Sequence, residues 1–162
     1  MKLFGFLIFL VLGILAFRRA RWAYVAFVIL GLLYFPASLG FRLDPKPCEL
    51  TFDGPLAVQS LTNYGHIINF FIFFLLTARQ FRSPGWRSLA WSIALTMAMG
   101  VAVEVAEGIS GAHHCKTVDL IPDFMGALLG LLAVVLTAMF ARAKLTRYDG
   151  HKDDIWRSRP AD

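Results

Sequence analysis

Four carboxylates and one histidine are the residues of this chain whose types and spacing could do chemistry. The stretch from Val101 to Gly130, VAVEVAEGISGAHHCKTVDLIPDFMGALLG, sets Glu104 and Glu107 at the end of one apolar run and Asp119 and Asp123 at the start of the next. Acidic side chains at the edges of membrane-length segments are costly to keep there, which makes them candidates for function. Acids this close cannot all be ionised in a dry pocket, because like charges need a cation or shared protons between them. Three chemistries fit: a divalent metal held by oxygen ligands, an acid/base pair, or a path for protons or cations. The alternative is that some of the acids lie in water at headgroup level, where the cost is small. His66, with Asn69, belongs to the preceding apolar run and reaches the same level. A lone histidine in a helix otherwise serves as a hydrogen-bonded packing residue.

The elements that must position these groups are apolar runs. The 162 residues are 57% hydrophobic and only 17% charged, with 15 Phe and a mean hydropathy of +0.61. This composition predicts an integral membrane protein of one membrane domain, all-α, a multi-pass bundle of about five transmembrane helices. The first run, Leu3 to Phe17, spans roughly 22 Å as a helix, short for a hydrocarbon core of about 30 Å. Arg18 and Arg19 follow Phe17 at once, which makes a poor signal-peptide cleavage site. We read a short transmembrane helix, with a cleaved signal or an interfacial helix as the alternatives. The second run covers Trp22 to Leu39 and ends near Pro36. Between Gly40 and Leu61, the density of Pro and Gly indicates a loop with room for one short turn or interfacial piece. The third run is Thr62 to Arg79, the fourth Ser88 to Glu107, and the fifth Pro122 to Ala141. Proline opening the fifth sits in a helix's first turn, where its missing N–H costs nothing. The transmembrane domain is thus 1–141, and the polar, basic tail 142–162 is too short and too charged to fold alone.

Lys and Arg counts in the loops set the orientation. Arg18, Arg19, Arg21, Arg79, Arg82, Arg87 and the basic tail fall on one side; Lys2, Arg42, Lys46 and Lys116 fall on the other. The richer side is expected to be cytoplasmic, with the N-terminus outside and the C-terminus inside. Trp22, Trp86 and Trp91 then form an aromatic belt at the cytoplasmic interface. His66 and the four acids lie at the outer ends of their helices, so their pocket opens to the extracytoplasmic side. The net charge of +5 is explained by these flanks, and with no basic stripe interleaved with exposed aromatics, nucleic acid is not an expected partner.

Residues three and four apart share a helix face. Thr62, His66, Asn69, Phe73 and Thr77 make one stripe of the third run. Gly100, Glu104 and Glu107 share a face of the fourth, with Ala94, Ala98, Ala102 and Ala106 opposite, which predicts a central helix packed on both sides. Asp119 and Asp123 share a face with Gly126 and Gly130 if the fifth helix extends back that far, and Gly-x-x-x-Gly lets another backbone approach closely. His113, His114 and Cys115 lack a second pair of metal ligands at matching spacing. Cys48 and Cys115 both fall on the oxidising side, where a disulfide between the outer loops is expected, free thiols being the alternative. There is no Gly-x-Ser-x-Gly nucleophile, His-Glu-x-x-His zinc helix, Walker loop or dinucleotide fingerprint.

His66 with its aromatic run, Glu104-x-x-Glu107, a polar loop, and Asp119-x-x-x-Asp123-x-x-Gly126-x-x-x-Gly130 resemble the VanZ-like membrane proteins, named for a glycopeptide (teicoplanin) resistance protein. The likeness covers about Thr62 to Leu132. Departures are Thr62 and Asn63 for the family's Asp-Lys, Glu107 for its Gln, His113 and Lys116 for its Arg and Asp, and Asp123 for its Asn. They make this site more acidic. The resemblance implies a multi-pass protein of the bacterial inner (cytoplasmic) membrane, acting in the cell envelope without an established reaction. The expected pocket comprises His66, Asn69, Glu104, Glu107, Asp119 and Asp123, with Gly100, Gly126 and Gly130 packing the helices around it. It would bind or act on an envelope component, such as a cationic or hydroxyl-bearing group of a lipid-linked cell-wall precursor or a peptide. The alternatives are an accessory or assembly subunit of a membrane protein complex, and a metal- or carboxylate-dependent membrane enzyme. Beyond membrane lipids, the partner, the cofactor and the metal are left undefined.

Overall fold

The computed structural model describes residues 2–38, 48–49, 53–82, 85–110 and 115–157, with side chains for 3–33, 48–49, 53–82, 85–110, 115–142 and 144. Among these the regular elements are helices: α1 (Lys2–Phe17), α2 (Arg21–Ser38), α3 (Gly54–Ser60), α4 (Tyr64–Gln80), α5 (Trp86–Ser110), a 3-10 turn (Thr117–Asp119) and α6 (Leu120–Arg157). Among the described residues the one β-type contact is an isolated bridge between Glu49 and Lys116.

α1 and α2 form an antiparallel hairpin. Arg19 N–H donates to the Ala16 carbonyl at 2.8 Å and Ala20 N–H to Leu15 at 3.0 Å, the paired bonds that close a helix end around a left-handed residue. That residue is Arg19, at φ 68°. Ala16 and Ala23 are fully buried where the helices meet, since small side chains let two backbones approach. Phe9 meets Phe27 edge to face at 5.5 Å. α4 runs parallel to α1: Gln80 Nε2 donates to the Ala16 carbonyl at 2.8 Å and Arg79 Nε to that of Phe17 at 3.3 Å, so the two C-terminal ends lie together. Tyr24 on α2 shares a hydrogen bond of 2.9 Å with the buried Thr77 of α4.

α5 packs on α4 and α2 through Ser92, Thr96, Gly100, Val103 and Glu104. Ser92 and Thr96 satisfy their buried hydroxyls on the carbonyls of Ser88 and Ser92, one turn back. The expectation of a central helix packed on both faces is corrected here. Ala94 and Ala98 are exposed and Ala102 and Ala106 half-buried, because α2, α4 and Asp123 of α6 all meet α5 on its Gly100 side.

Two helical segments, Trp86–Ser110 and Thr117–Arg142, are long and apolar enough to cross a membrane; α3 and α4, bent by 67° at a short break, would make a third if they form one span. α1 and α2 are apolar but shorter over their described side chains, Leu3–Phe17 and Arg21–Leu33. α3 begins with Pro55 in its first turn and lies inside the long polar segment. α6 continues as helix through Arg157, so the basic segment after Ala141 extends an existing helix. Extending an existing helix avoids the nucleation cost, and no proline intervenes after Ala141 until Pro160. The chain divides into two compact units, Met1–Leu131 and Leu132–Asp162, with the division inside α6.

At one end of the first unit Cys48 and Cys115 are joined by a disulfide closing a separation of 67 residues. Beside it Glu49 N–H donates to the Cys115 carbonyl at 2.9 Å and Thr117 N–H to that of Glu49 at 3.2 Å, which fixes the segment leading into α6. Loop-closure entropy sets an upper bound of about 4 kcal/mol for such a crosslink, reduced by whatever helix the unfolded state keeps. Replacing both cysteines with serine is therefore expected to lower the thermal midpoint and to speed tryptic cleavage at Lys116. Cleavage followed with and without reductant checks this.

Candidate functional site

The site is built where α4, α5 and α6 converge. His66 Nδ1 lies 2.8 Å from Asp123 Oδ1, and Asp123 is 1% exposed. Two glycines make this contact possible. A Cβ on Gly100 of α5 would stand 2.8 Å from Asp123 Oδ2, so the missing side chain is the space the carboxylate occupies. A Cβ on Gly126 of α6 would collide with the Ile67 carbonyl oxygen of α4, so the two backbones touch one turn from the His66–Asp123 pair. Gly130 continues the contact against the ring of Phe74. The His66 ring lies nearly parallel to Phe70, with centroids 6.3 Å apart. Asn63 caps α4, its side-chain oxygen accepting from His66 N–H at 3.5 Å, a long bond.

Glu104 does different work. Its Oε2 accepts the Lys116 backbone N–H at 2.9 Å, which ties α5 to the disulfide-linked segment. Among the described residues Glu104 Oε1 and Asp123 Oδ2 are buried without a hydrogen-bond partner. Glu107 is buried one turn further along α5.

Of the six expected pocket residues, His66 and Asn69 line one cavity and Asp119 another, while Asp123 and Glu104 are buried between the helices. Asp119 closes the 3-10 turn and Asp123 lies in the first turn of α6. Asp119 lines a polar outer cavity of about 240 Å³ with Glu49, Gln59, Ser60 and Lys116. His66 and Asn69 instead edge a larger cavity of about 600 Å³ between α1, α2, α4 and α5, whose other walls are almost entirely apolar. Among the described residues no three His, Cys, Asp or Glu side chains converge as a metal site, and His113 and His114 lie outside those residues.

Two features escape a reading of the sequence. The backbone N–H of Lys116 carries no side-chain signature. The apolar cavity is a gap among four helices distant in the chain, hinted at only by Gly13 and Gly31 in its walls. The fold and site define a helical protein with a half-buried histidine paired to a buried aspartate beside an apolar cavity. No family model, curated protein or solved structure matches the chain.

Proposed function

We propose that the chain is a VanZ-like protein of the bacterial inner membrane, crossing it five times with the N-terminus outside, and that His66 and Asp123 bind a hydroxyl- or amine-bearing group of a cell-envelope component at the extracytoplasmic side. The observation that carries this reading is the half-buried His66 paired with the buried Asp123 at the edge of an open cavity. By engaging Nδ1, Asp123 orients the ring and leaves Nε2 as its remaining hydrogen-bonding atom, and Asn69 lines the same cavity. Such a pair can accept a hydrogen bond from a ligand hydroxyl or share a proton with it.

Two independent features support the orientation. Arg18, Arg19 and Arg79 gather at the end where α1 and α4 finish, as the cytoplasmic side requires. The disulfide lies at the opposite end, as an oxidising compartment requires. The VanZ-like assignment is supported by the order of its residues and by their convergence, since the Gly126 and Gly130 that follow Asp123 are those that press α6 onto the His66 helix. In a deletion strain, His66→Gln and Asp123→Asn variants that accumulate normally are expected to leave susceptibility to cell-wall antibiotics at the level of the deletion. Full complementation by both would refute the reading.

A further inference from the structure

The large cavity has a second polar end. It is lined on α1 from Phe6 to Arg18 and on α4 from His66 to Leu76, so with a rise of 1.5 Å per residue it extends about 18 Å along the helices. Half of a bilayer's hydrocarbon core is roughly 15 Å. The slot thus has the length of a lipid chain within one leaflet, and its apolar lining suits nothing charged.

Charge decides which end takes the headgroup. Arg18 itself lines the mouth opposite His66. Arg79 is held there too: its guanidinium carbon lies 4.9 Å over the ring of Phe17, a wall residue, and its Nε is used on the Phe17 carbonyl, leaving the terminal nitrogens for a ligand. Arg19, the next residue, occupies the left-handed position that closes α1, at φ 68°, where glycine would fit without strain. A cation is thus present at this turn in spite of the backbone cost. Guanidinium groups bind phosphate through paired hydrogen bonds. At the other end a phosphate would meet the buried carboxylate of Asp123 behind His66.

We propose that this cavity is a binding site for an anionic phospholipid, with one acyl chain lying between α1, α2, α4 and α5 and the phosphate held by Arg18 and Arg79. The site extends beyond the His66–Asp123 reading and requires only that these helices lie in a bilayer. Gly13 keeps part of the wall open: a Cβ there would make an ordinary 3.8 Å contact with Phe27, so larger side chains can be introduced without a backbone clash.

The test is native mass spectrometry of the full chain in mild detergent, with phosphatidylglycerol and phosphatidylcholine of matched acyl chains as probes. One phosphatidylglycerol per chain is expected to survive activation, retained about tenfold better than phosphatidylcholine. Arg18→Gln combined with Arg79→Gln should abolish that preference, and Gly13→Leu should reduce retention of both lipids while circular dichroism shows unchanged helix content. Arg87→Gln, a basic residue outside the cavity lining, should change neither. Equal retention of the two lipids by the unaltered protein would overturn the proposal. So would a preference that survives the double arginine change, or one lost instead in His66→Gln, which would place the headgroup at the opposite end. None of these results depends on the complementation assay, so the two readings can fail separately.

Discussion

Gly126→Ala is expected to lower stability by about 3 kcal/mol or more and to pull α6 away from α4, an effect at the upper end of what one added methyl group does in a packed interior. The magnitude follows from which atoms the methyl would meet. It would overlap the Ile67 carbonyl oxygen and stand 2.9 Å from the Phe71 amide nitrogen, both backbone atoms that no rotamer change can move. Relief requires the helices to separate, and His66 and Asp123 are held by a single 2.8 Å contact across that same interface. The variant should therefore lose the site as well as stability. Gly54→Ala is the matched control: nothing lies within 4 Å of the added carbon, so its effect should stay within about 0.5 kcal/mol. Thermal unfolding of both proteins in the same detergent checks the pair. A Gly126→Ala midpoint equal to that of Gly54→Ala would mean that α4 and α6 do not touch as described.

The importance of Gly126 was visible in the sequence because a Gly-x-x-x-Gly spacing has one dominant physical use in apolar helices. What it packs against was not, since nothing in the spacing distinguishes α4 from α5 as the neighbour. The same division runs through the site. Asp123 could be singled out by its cost in an apolar segment, and His66 by its level in the chain. Their partnership depends on Gly100 leaving room for a carboxylate, a three-helix property. Asp119 and Asp123 look equivalent at a spacing of four; burial against His66 distinguishes Asp123, while Asp119 lines a separate polar cavity. Glu104 looked like a ligand-binding acid, yet one of its oxygens is occupied by the Lys116 amide, a group every residue but proline possesses. The alanine stripe of α5 reads as an interface because small residues permit close packing; permission alone supplies no neighbour.

The second large effect separates what the His66–Asp123 pair does for folding from what it does for function. His66→Leu should destabilise the protein by about 3–5 kcal/mol, since it leaves the carboxylate of Asp123, 1% exposed, without its partner. Asp123→Leu should cost less, about 1–3 kcal/mol, because the His66 side chain is 24% exposed and borders a cavity where its nitrogen can find water. The double variant His66→Leu with Asp123→Leu should recover most of the loss, because replacing both members of a buried polar pair with apolar groups removes the unpaired charge. Thermal unfolding of the four proteins closes the cycle, and a double variant no more stable than His66→Leu would mean that the two residues are not energetically coupled. The same proteins then report on function. A pair that serves only packing predicts that the double variant, once refolded to near full stability, also restores antibiotic susceptibility in the deletion strain. A pair that binds an envelope component predicts a stable protein that does not, because leucine at both positions offers no donor or acceptor to a ligand at the cavity wall.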